Sequence, residues 1–168
     1  MMAQAHPKLA LRPFLAEDTA LLREIFRASI EQLTGDDYSE AQRQAWASAA
    51  DDAAAFGKKL GGQLTLVATL AGSPVGFAAL ATGDRIDMLY VHPAAAGQGV
   101  AAMLVDALEK LAGSRGAALL TVDASDSARG FFEKRGYVAQ QRNSVLVGGE
   151  WLANTTLNKQ LAAKREAS

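Results

Sequence analysis

A glycine-rich turn between a strand pattern and a helix pattern is the segment of this sequence best suited to hold a ligand. In the run Val91–Leu104, Pro93 ends an apolar strand pattern, and Gly97 and Gly99 precede a helical one. Glycine lets a ligand approach the backbone closely. The first turn of a helix presents unpaired N–H groups and the positive end of the helix dipole. The segment therefore predicts a phosphate or pyrophosphate site.

Three interpretations of the glycines compete. A Walker phosphate loop is excluded because no Gly-Lys-Ser/Thr follows them. The run Gly97–Ala102 fits the dinucleotide pattern G-x-G-x-x-A, and Asp123 follows where a ribose-binding acid would lie. Against that pattern, His92–Ala96 separates the glycines from the strand, and little sequence follows for further strands. A helix start without any ligand is the third interpretation.

The elements that must position this turn differ between the two halves of the chain. The first half has one strand pattern, Lys8–Pro13, followed by three helical patterns, Glu17–Leu33, Ser39–Ser48 and Asp51–Leu60. The second half has strand patterns at Gln63–Leu70, Val75–Ala81, Asp84–Val91, Ala117–Asp123, Tyr137–Val147 and Trp151–Lys159, with helical ones at Val100–Leu111 and Ser127–Arg135.

The order of these elements predicts the architecture. The strand–helix–strand unit Asp84–Asp123 predicts a parallel pair with a right-handed crossover, and hairpins make the other strands antiparallel. We expect an α/β (α+β) fold with a mixed, mostly antiparallel sheet of six to seven strands and helices on both faces. One domain is expected over residues 1–168, with flexible tails at about 1–7 and 162–168.

Composition excludes several classes of protein. The chain has 49% hydrophobic and 21% charged residues, which is ordinary for a globular protein. Seventeen basic and eighteen acidic residues give no support to a nucleic-acid surface. The absence of cysteine excludes disulfides, thiolate metal ligands and a cysteine nucleophile. With neither a signal peptide nor a membrane-spanning run, we expect a cytoplasmic protein without a nucleic-acid, membrane or metal partner.

Two segments together resemble a known family. The first, Ala96–Ala101, is similar to an Arg/Gln-x-x-Gly-x-Gly/Ala pattern, and the second, Ala124–Tyr137, to Asn-x-x-Ala-x-x-Phe-Tyr-Glu-Lys-x-Gly-Phe. Their order and separation resemble those of the GNAT N-acetyltransferase superfamily. Ala96 departs from the expected Arg or Gln, so the turn must bind mainly through its backbone. Ser125 stands at the Asn position and Phe132 at the Tyr position.

The resemblance covers nearly the whole chain. Leu11–Asp18 with the helix after it is similar to the opening strand and helix of the family. Asp37–Trp46 resembles a branch of small bacterial YafP-like acetyltransferases, which implies that Tyr38 and Trp46 lie near the acceptor pocket. Ordinary packing of two large aromatic residues is the competing interpretation.

The resemblance implies direct transfer of an acetyl group from acetyl-CoA, as cosubstrate, to a primary amine of a small molecule or peptide. It also implies that the central parallel strands splay apart, so that the pantetheine arm pairs with the strand before the turn. The N–H of Leu89 or Tyr90 is the candidate oxyanion donor. The residues implied in cofactor binding are Leu89, Tyr90, Val91, Gly97, Gln98, Gly99, Val100, Ala101, Ser125 and Phe132.

Proton transfer needs a base and an acid. Asp87 is the candidate base, because strand alternation places it on the same face as Leu89 and Val91. An aspartate that is solvated or paired with Arg85 is the competing interpretation.

The acid is less well defined, because phenylalanine at the usual tyrosine position donates no proton. Tyr137, Ser125 or water would have to replace it.

Two other functions stay open on the sequence. Ala96 and Phe132 are compatible with an acyl-CoA-binding or sensing protein that has little catalysis. The dinucleotide pattern keeps a small nicotinamide-dependent oxidoreductase open as a function. The acceptor is not specified, and the final hairpin offers strands through which a homodimer could pair.

Overall fold

The structure is a computed structural model that describes residues 8–161, so the predicted tails at 1–7 and 162–168 lie outside the described residues. The strands are β1 (Leu9–Pro13), β2 (Leu64–Leu70), β3 (Ser73–Ala81), β4 (Arg85–Val91), β5 (Leu119–Ser125), β6 (Val138–Val147) and β7 (Glu150–Gln160). The α-helices are α1 (Thr19–Leu33), α2 (Glu40–Ala47), α3 (Ala53–Gly61), α4 (Val100–Ser114) and α5 (Asp126–Lys134). None of the helices in this part of the chain is both long and apolar enough to cross a bilayer.

The seven strands form one sheet in the order β1-β2-β3-β4-β5-β7-β6. Every neighbouring pair is antiparallel except β4 and β5, which are parallel. This confirms the predicted mixed, mostly antiparallel sheet. It argues against a dinucleotide-binding fold, which needs a mostly parallel sheet.

Alternation along the strands buries one apolar cluster on each face of the sheet. Phe77 packs in one cluster with Leu22 and Phe26 of α1 and Phe56 of α3. Its neighbour on β3, Ala78, packs in the other cluster, which includes five buried residues of α4 and Phe132 of α5. Helices therefore cover both faces, as the sequence predicts.

The parallel strands β4 and β5 separate after two paired positions. They pair at Arg85 with Thr121 and at Ile86 with Val122, and the pairing ends there. Beyond this point β4 stays paired with β3 as far as Val91, and β5 stays paired with β7. The predicted splay is confirmed, and it opens a gap at the centre of the sheet.

A β-bulge at Asp87 changes which residues of β4 share a face. Ala79 of β3 pairs with Met88, and Leu80 pairs with Ile86. Asp87 is therefore an extra residue on β4 without a partner on β3. Ile86, Leu89 and Val91 all pack with the α4 cluster, whereas Met88 packs with the α1 cluster. The predicted placement of Asp87 on the face of Leu89 and Val91 is therefore wrong. One inserted residue shifts the two-residue period of a strand.

Candidate active site

The gap between the splayed strands belongs to a cavity of about 600 Å³. This volume lies within the range of small-molecule sites, about 300–1,000 Å³. Its walls come from both faces of the sheet. The lining residues are Ser29, Ile30, Leu33, Thr34, Trp46, Ile86–Val91, Ala95–Gly97, Gly99–Ala102, Val122–Ser125, Ser127, Ala128, Phe131 and Phe132.

The glycine turn and the start of α4 form one end of the cavity. Gly97 and Gly99 have φ angles of +79° and +82°, and a Cβ on either would meet no protein atom within 4 Å. Glycine is required here by backbone conformation, and the space beside it is open. Gly99 is the N-cap residue, and no side chain of the described residues caps the helix. The first N–H groups of α4 are therefore available to an anion.

No lysine, arginine or histidine occurs among the described residues that line this cavity. An anion at the turn would consequently be held by backbone N–H groups, as the alanine at position 96 predicts. Gln98 is outside the lining, and its side-chain amide donates to the Ala94 carbonyl over 3.4 Å. The side chain of Gln98 therefore does not face the cavity.

The edge of β4 that faces the gap has unpaired backbone groups. His92 N donates to Val75 O over 2.8 Å, and a Cβ on Gly76 would lie 3.0 Å from the Tyr90 carbonyl oxygen. Since N–H directions alternate along a strand, His92 and Tyr90 point toward β3, and Leu89 and Val91 point into the gap. The geometry favours Leu89 over Tyr90 as the oxyanion donor.

Asp87 presents one free carboxylate oxygen at the cavity wall. Its Oδ2 accepts a hydrogen bond from Gln63 Nε2 at 3.1 Å and lies 3.3 Å from Lys59 Nζ. The side chain is 25% exposed. Among the described residues Oδ1 has no hydrogen-bond partner, so it can accept from an ammonium group or a water molecule.

Asp123, the second acidic residue in the lining, is fully engaged. Its Oδ1 accepts from Thr156 Oγ1 at 2.6 Å, and its Oδ2 pairs with Arg85. This contact joins β4 and β5 where they begin to separate. Arg85 therefore pairs with Asp123, and the interpretation in which it pairs with Asp87 is wrong.

Trp46 and Tyr90 form an aromatic wall of the cavity. Trp46 Nε1 donates to Tyr90 Oη over 3.2 Å, and the Tyr90 ring lies 4.6 Å from the ring of Phe26. Burial raises the pKa of Tyr90 above its ordinary value, so the phenol stays protonated at neutral pH. Within residues 8–161 its hydroxyl proton has no acceptor. Sequence reasoning included Tyr90 only for its backbone, because nothing in the strand pattern shows where the ring points.

Tyr38, predicted to lie near the acceptor pocket, is outside the cavity lining and makes structural contacts. Its side chain is 5% exposed. The hydroxyl donates to Ala153 O over 2.5 Å and accepts from Asp126 N over 2.9 Å. It thus fastens the loop before α2 to β7 and α5. The packing interpretation fits Tyr38, whereas its neighbour Trp46 does line the cavity.

Tyr137, predicted as a general acid, lies in the core beside α4. Its hydroxyl donates to Glu109 Oε2 over 2.9 Å, and Lys159 Nζ lies 3.0 Å from the other oxygen of Glu109. Burial, followed by the contact with Glu109, raises the pKa of Tyr137 above its ordinary value. The residue is 2% exposed and outside the cavity lining. This geometry argues against its role as the acid.

Replacing Tyr137 with phenylalanine should leave catalysis intact and weaken the fold. We expect kcat to stay within about twofold, and the free energy of unfolding to fall by about 1–2 kcal/mol, because Glu109 loses a buried donor. Urea unfolding and steady-state rates measure the two effects. Tyr90→Phe, which removes a phenol that does line the cavity, is the comparison. A tenfold fall in kcat for Tyr137→Phe with unchanged acetyl-CoA affinity would contradict this assignment.

Ser125 and Phe132, predicted to contact the cofactor, both line the cavity. Ser125 is the N-cap of α5, and its Oγ accepts from Ala128 N over 3.1 Å, which leaves the hydroxyl hydrogen free to donate. Phe132 is 1% exposed and packs 5.1 Å from the ring of Tyr137. It can offer a ligand only apolar contact.

Comparisons with known proteins agree with this architecture. A family model described as an acetyltransferase (GNAT) domain matches residues 34–153. The uncharacterized N-acetyltransferase YafP of Escherichia coli (strain K12) is 32% identical over 146 residues, which is 87% of this chain and 92% of that protein.

Solved structures give the same result. A GCN5-related N-acetyltransferase from Rhodopseudomonas palustris is 64% identical, with a TM-score of 0.90, over 96% of this chain and 99% of that one. The PaiA N-acetyltransferase of Thermoplasma acidophilum, crystallised with coenzyme A, shares the fold at 17% identity, with a TM-score of 0.75 over 91% of this chain and 99% of that one. The splayed sheet, the glycine turn and these relatives together show that the chain belongs to the GNAT family of N-acetyltransferases.

Proposed function

We propose that this protein transfers the acetyl group of acetyl-CoA directly to a primary amine. The observation that carries the proposal is the cavity at the splayed strands. It brings together the uncapped start of α4, the unpaired edge of β4 and a free oxygen of Asp87. These three features match the three tasks of the reaction, which are to hold the thioester, to stabilise its carbonyl oxygen and to move protons.

The donor would bind through the backbone. Its pyrophosphate would lie on the N–H groups of the turn, in the run Gly97–Ala101, at the positive end of the α4 dipole. Its pantetheine amides would pair with the free N–H and C=O groups of Leu89 and Val91, as a strand adds to a sheet edge. Ser125 and Phe132 would contact the arm from the opposite wall. The coenzyme A complex of the related Thermoplasma protein supports this choice of ligand.

The chemical step would use three groups of this chain. Asp87 Oδ1 would take a proton from the ammonium, directly or through one water, so that the amine nitrogen can attack the thioester carbon. The Leu89 N–H would stabilise the negative charge on the carbonyl oxygen. As the carbon–sulfur bond breaks, the thiolate would take a proton from an acid of the site, and the nitrogen would lose its second proton through water, which restores that acid. Tyr90 is the tyrosine that lines the cavity and is our first choice of donor, with Ser125 as the alternative.

Acetyl-CoA binding and turnover test the proposal. At 100 times its Kd, a ligand stabilises the folded state by about 2.7 kcal/mol, which shifts the Tm of a chain of this size by about 5–10 °C. We expect that shift with acetyl-CoA and none with NAD, together with amine-dependent release of CoA. Stabilisation by NAD alone would refute the proposal.

A second candidate function is an acyl-CoA-binding or sensing protein. It is favoured by Ala96, which brings no charged side chain to the turn, and by Phe132, which cannot donate a proton. The same experiment separates the two functions. Binding of acetyl-CoA without CoA release on any of a panel of polyamines, amino acids, aminoglycosides and peptides would favour the sensor.

A further inference from the structure

The charges around the cavity indicate the sign of the acceptor. Asp87 and Asp123 are the charged side chains among the described lining residues. Asp123 uses both oxygens on Arg85 and Thr156, whereas Asp87 keeps Oδ1 free. A group that docks in this cavity therefore meets one acceptor oxygen that still lacks a partner. Since Lys59 Nζ lies 3.3 Å from Oδ2, the free oxygen calls for a hydrogen-bond donor, which an ammonium group supplies and a carboxylate does not.

The wall on the α1 side of the same cavity carries the apolar side chains of Leu33 and Trp46 beside the hydroxyl groups of Ser29 and Thr34. Ile30 is fully buried, and Trp46 stands beside it in the lining. Leu33, the last residue of α1, also lines the cavity but is 43% exposed. Contact with an apolar ligand stabilises such a side chain, because the contact removes apolar surface from water.

Resting on the proposed function, we infer that the acceptor is a small primary amine with an apolar arm. Its ammonium group lies at Oδ1 of Asp87, and its arm lies along Trp46 and Leu33. The cavity volume of about 600 Å³ must also take the acetylated end of the donor, which favours a small amine over a folded protein substrate. A second charged group at the far end of the acceptor's arm would lose water against Leu33, and this desolvation would weaken binding.

Acceptors of matched length test the inference. We expect kcat/KM for CoA release to be at least tenfold higher with hexylamine than with 1,6-diaminohexane, which ends in a second ammonium. It should be lower again with 6-aminohexanoate, whose carboxylate would be desolvated at the far end of the arm and repelled by the acidic groups of the cavity. A trialanine amide represents peptide N-termini. Equal rates on the three six-carbon amines, or a preference for the peptide, would overturn the inference.

A substitution at Leu33 makes the test specific. In Leu33→Glu, hexylamine should lose at least tenfold in kcat/KM and 1,6-diaminohexane should gain, because a carboxylate replaces the apolar contact. Leu21→Glu is the control, since Leu21 is 47% exposed on the same helix and outside the cavity lining. It should leave the order of acceptors unchanged. A reversal of preference cannot arise from a damaged fold, and identical behaviour of the two variants would contradict the inference.

Binding separates this inference from the proposed function. Calorimetry with acetyl-CoA should give the same Kd for the wild type and both variants, and hexylamine should bind the CoA-loaded protein more weakly in Leu33→Glu. If the wild type binds acetyl-CoA and acetylates amines without regard to the arm, only the inference fails. If the wild type does not bind acetyl-CoA, the proposed function fails and the inference fails with it.

Discussion

Replacing Gly99 with valine is expected to weaken acetyl-CoA binding at least 100-fold, which corresponds to about 2.7 kcal/mol. The φ angle of Gly99 is +82°, a region that a β-branched residue avoids at a cost of about 1–3 kcal/mol. If the backbone keeps this angle, the new side chain fills the open space beside the turn. If the backbone relaxes, the N–H groups at the start of α4 move away from the pyrophosphate. Each such charge-assisted hydrogen bond contributes about 1.5–3 kcal/mol.

Gly116 provides the matched control for this prediction. Its φ angle is +91°, a Cβ there would also meet no protein atom within 4 Å, and it lies just beyond the other end of α4. Gly116→Val should therefore lower the Tm by about as much as Gly99→Val and leave the Kd for acetyl-CoA unchanged. Calorimetry and thermal unfolding give both numbers. Equal losses of affinity in the two variants would show that strain, and not the turn, controls binding.

Replacing Asp87 with asparagine is expected to lower kcat by about 100–1,000-fold, the usual effect of removing a general base. Asparagine keeps the size of the side chain and can still contact Gln63 and Lys59. It cannot accept a proton from the ammonium. The Kd for acetyl-CoA should stay within about twofold, because the donor is held by the turn and by the edge of β4.

Asp123→Asn is the comparison, because Asp123 is the other acidic residue in the cavity lining. Its two oxygens are engaged by Arg85 and Thr156, so the substitution should lower the Tm and reduce kcat less than tenfold. Stopped-flow measurement of the acetyl-transfer step distinguishes loss of chemistry from loss of binding. If Asp123→Asn costs as much as Asp87→Asn, the base is not the residue proposed.

Patterns that are local in sequence predicted the framework of the site. The two-residue period of the strands, the glycine turn and the helix after it are all present, and Gly97, Gly99 and Val100 line the cavity. The strand–helix–strand order predicted the parallel pair. Such features follow from backbone preferences and burial within one or two elements, so the residues themselves contain the information.

The bulge at Asp87 shows a feature that local sequence patterns do not predict. The sequence of β4 alternates well enough to predict a regular strand. The extra residue becomes visible only when β4 is paired with β3, because a bulge is a property of two strands. It moves Asp87 away from the face of Leu89 and toward Lys59 and Gln63, and this sets which carboxylate oxygen is free.

The three tyrosines show that local sequence patterns also do not predict the role of a side chain. A phenol can be catalytic, structural or both, and its sequence neighbours do not distinguish these roles. The hydroxyl of Tyr38 reaches a carbonyl 115 residues away along the chain, and that of Tyr137 reaches a carboxylate 28 residues away. The sequence by itself determined the sheet, the turn and the family. Only the tertiary structure decided which polar groups are satisfied and which face the cavity, because hydrogen-bond partners come from elements that meet only when the chain is folded.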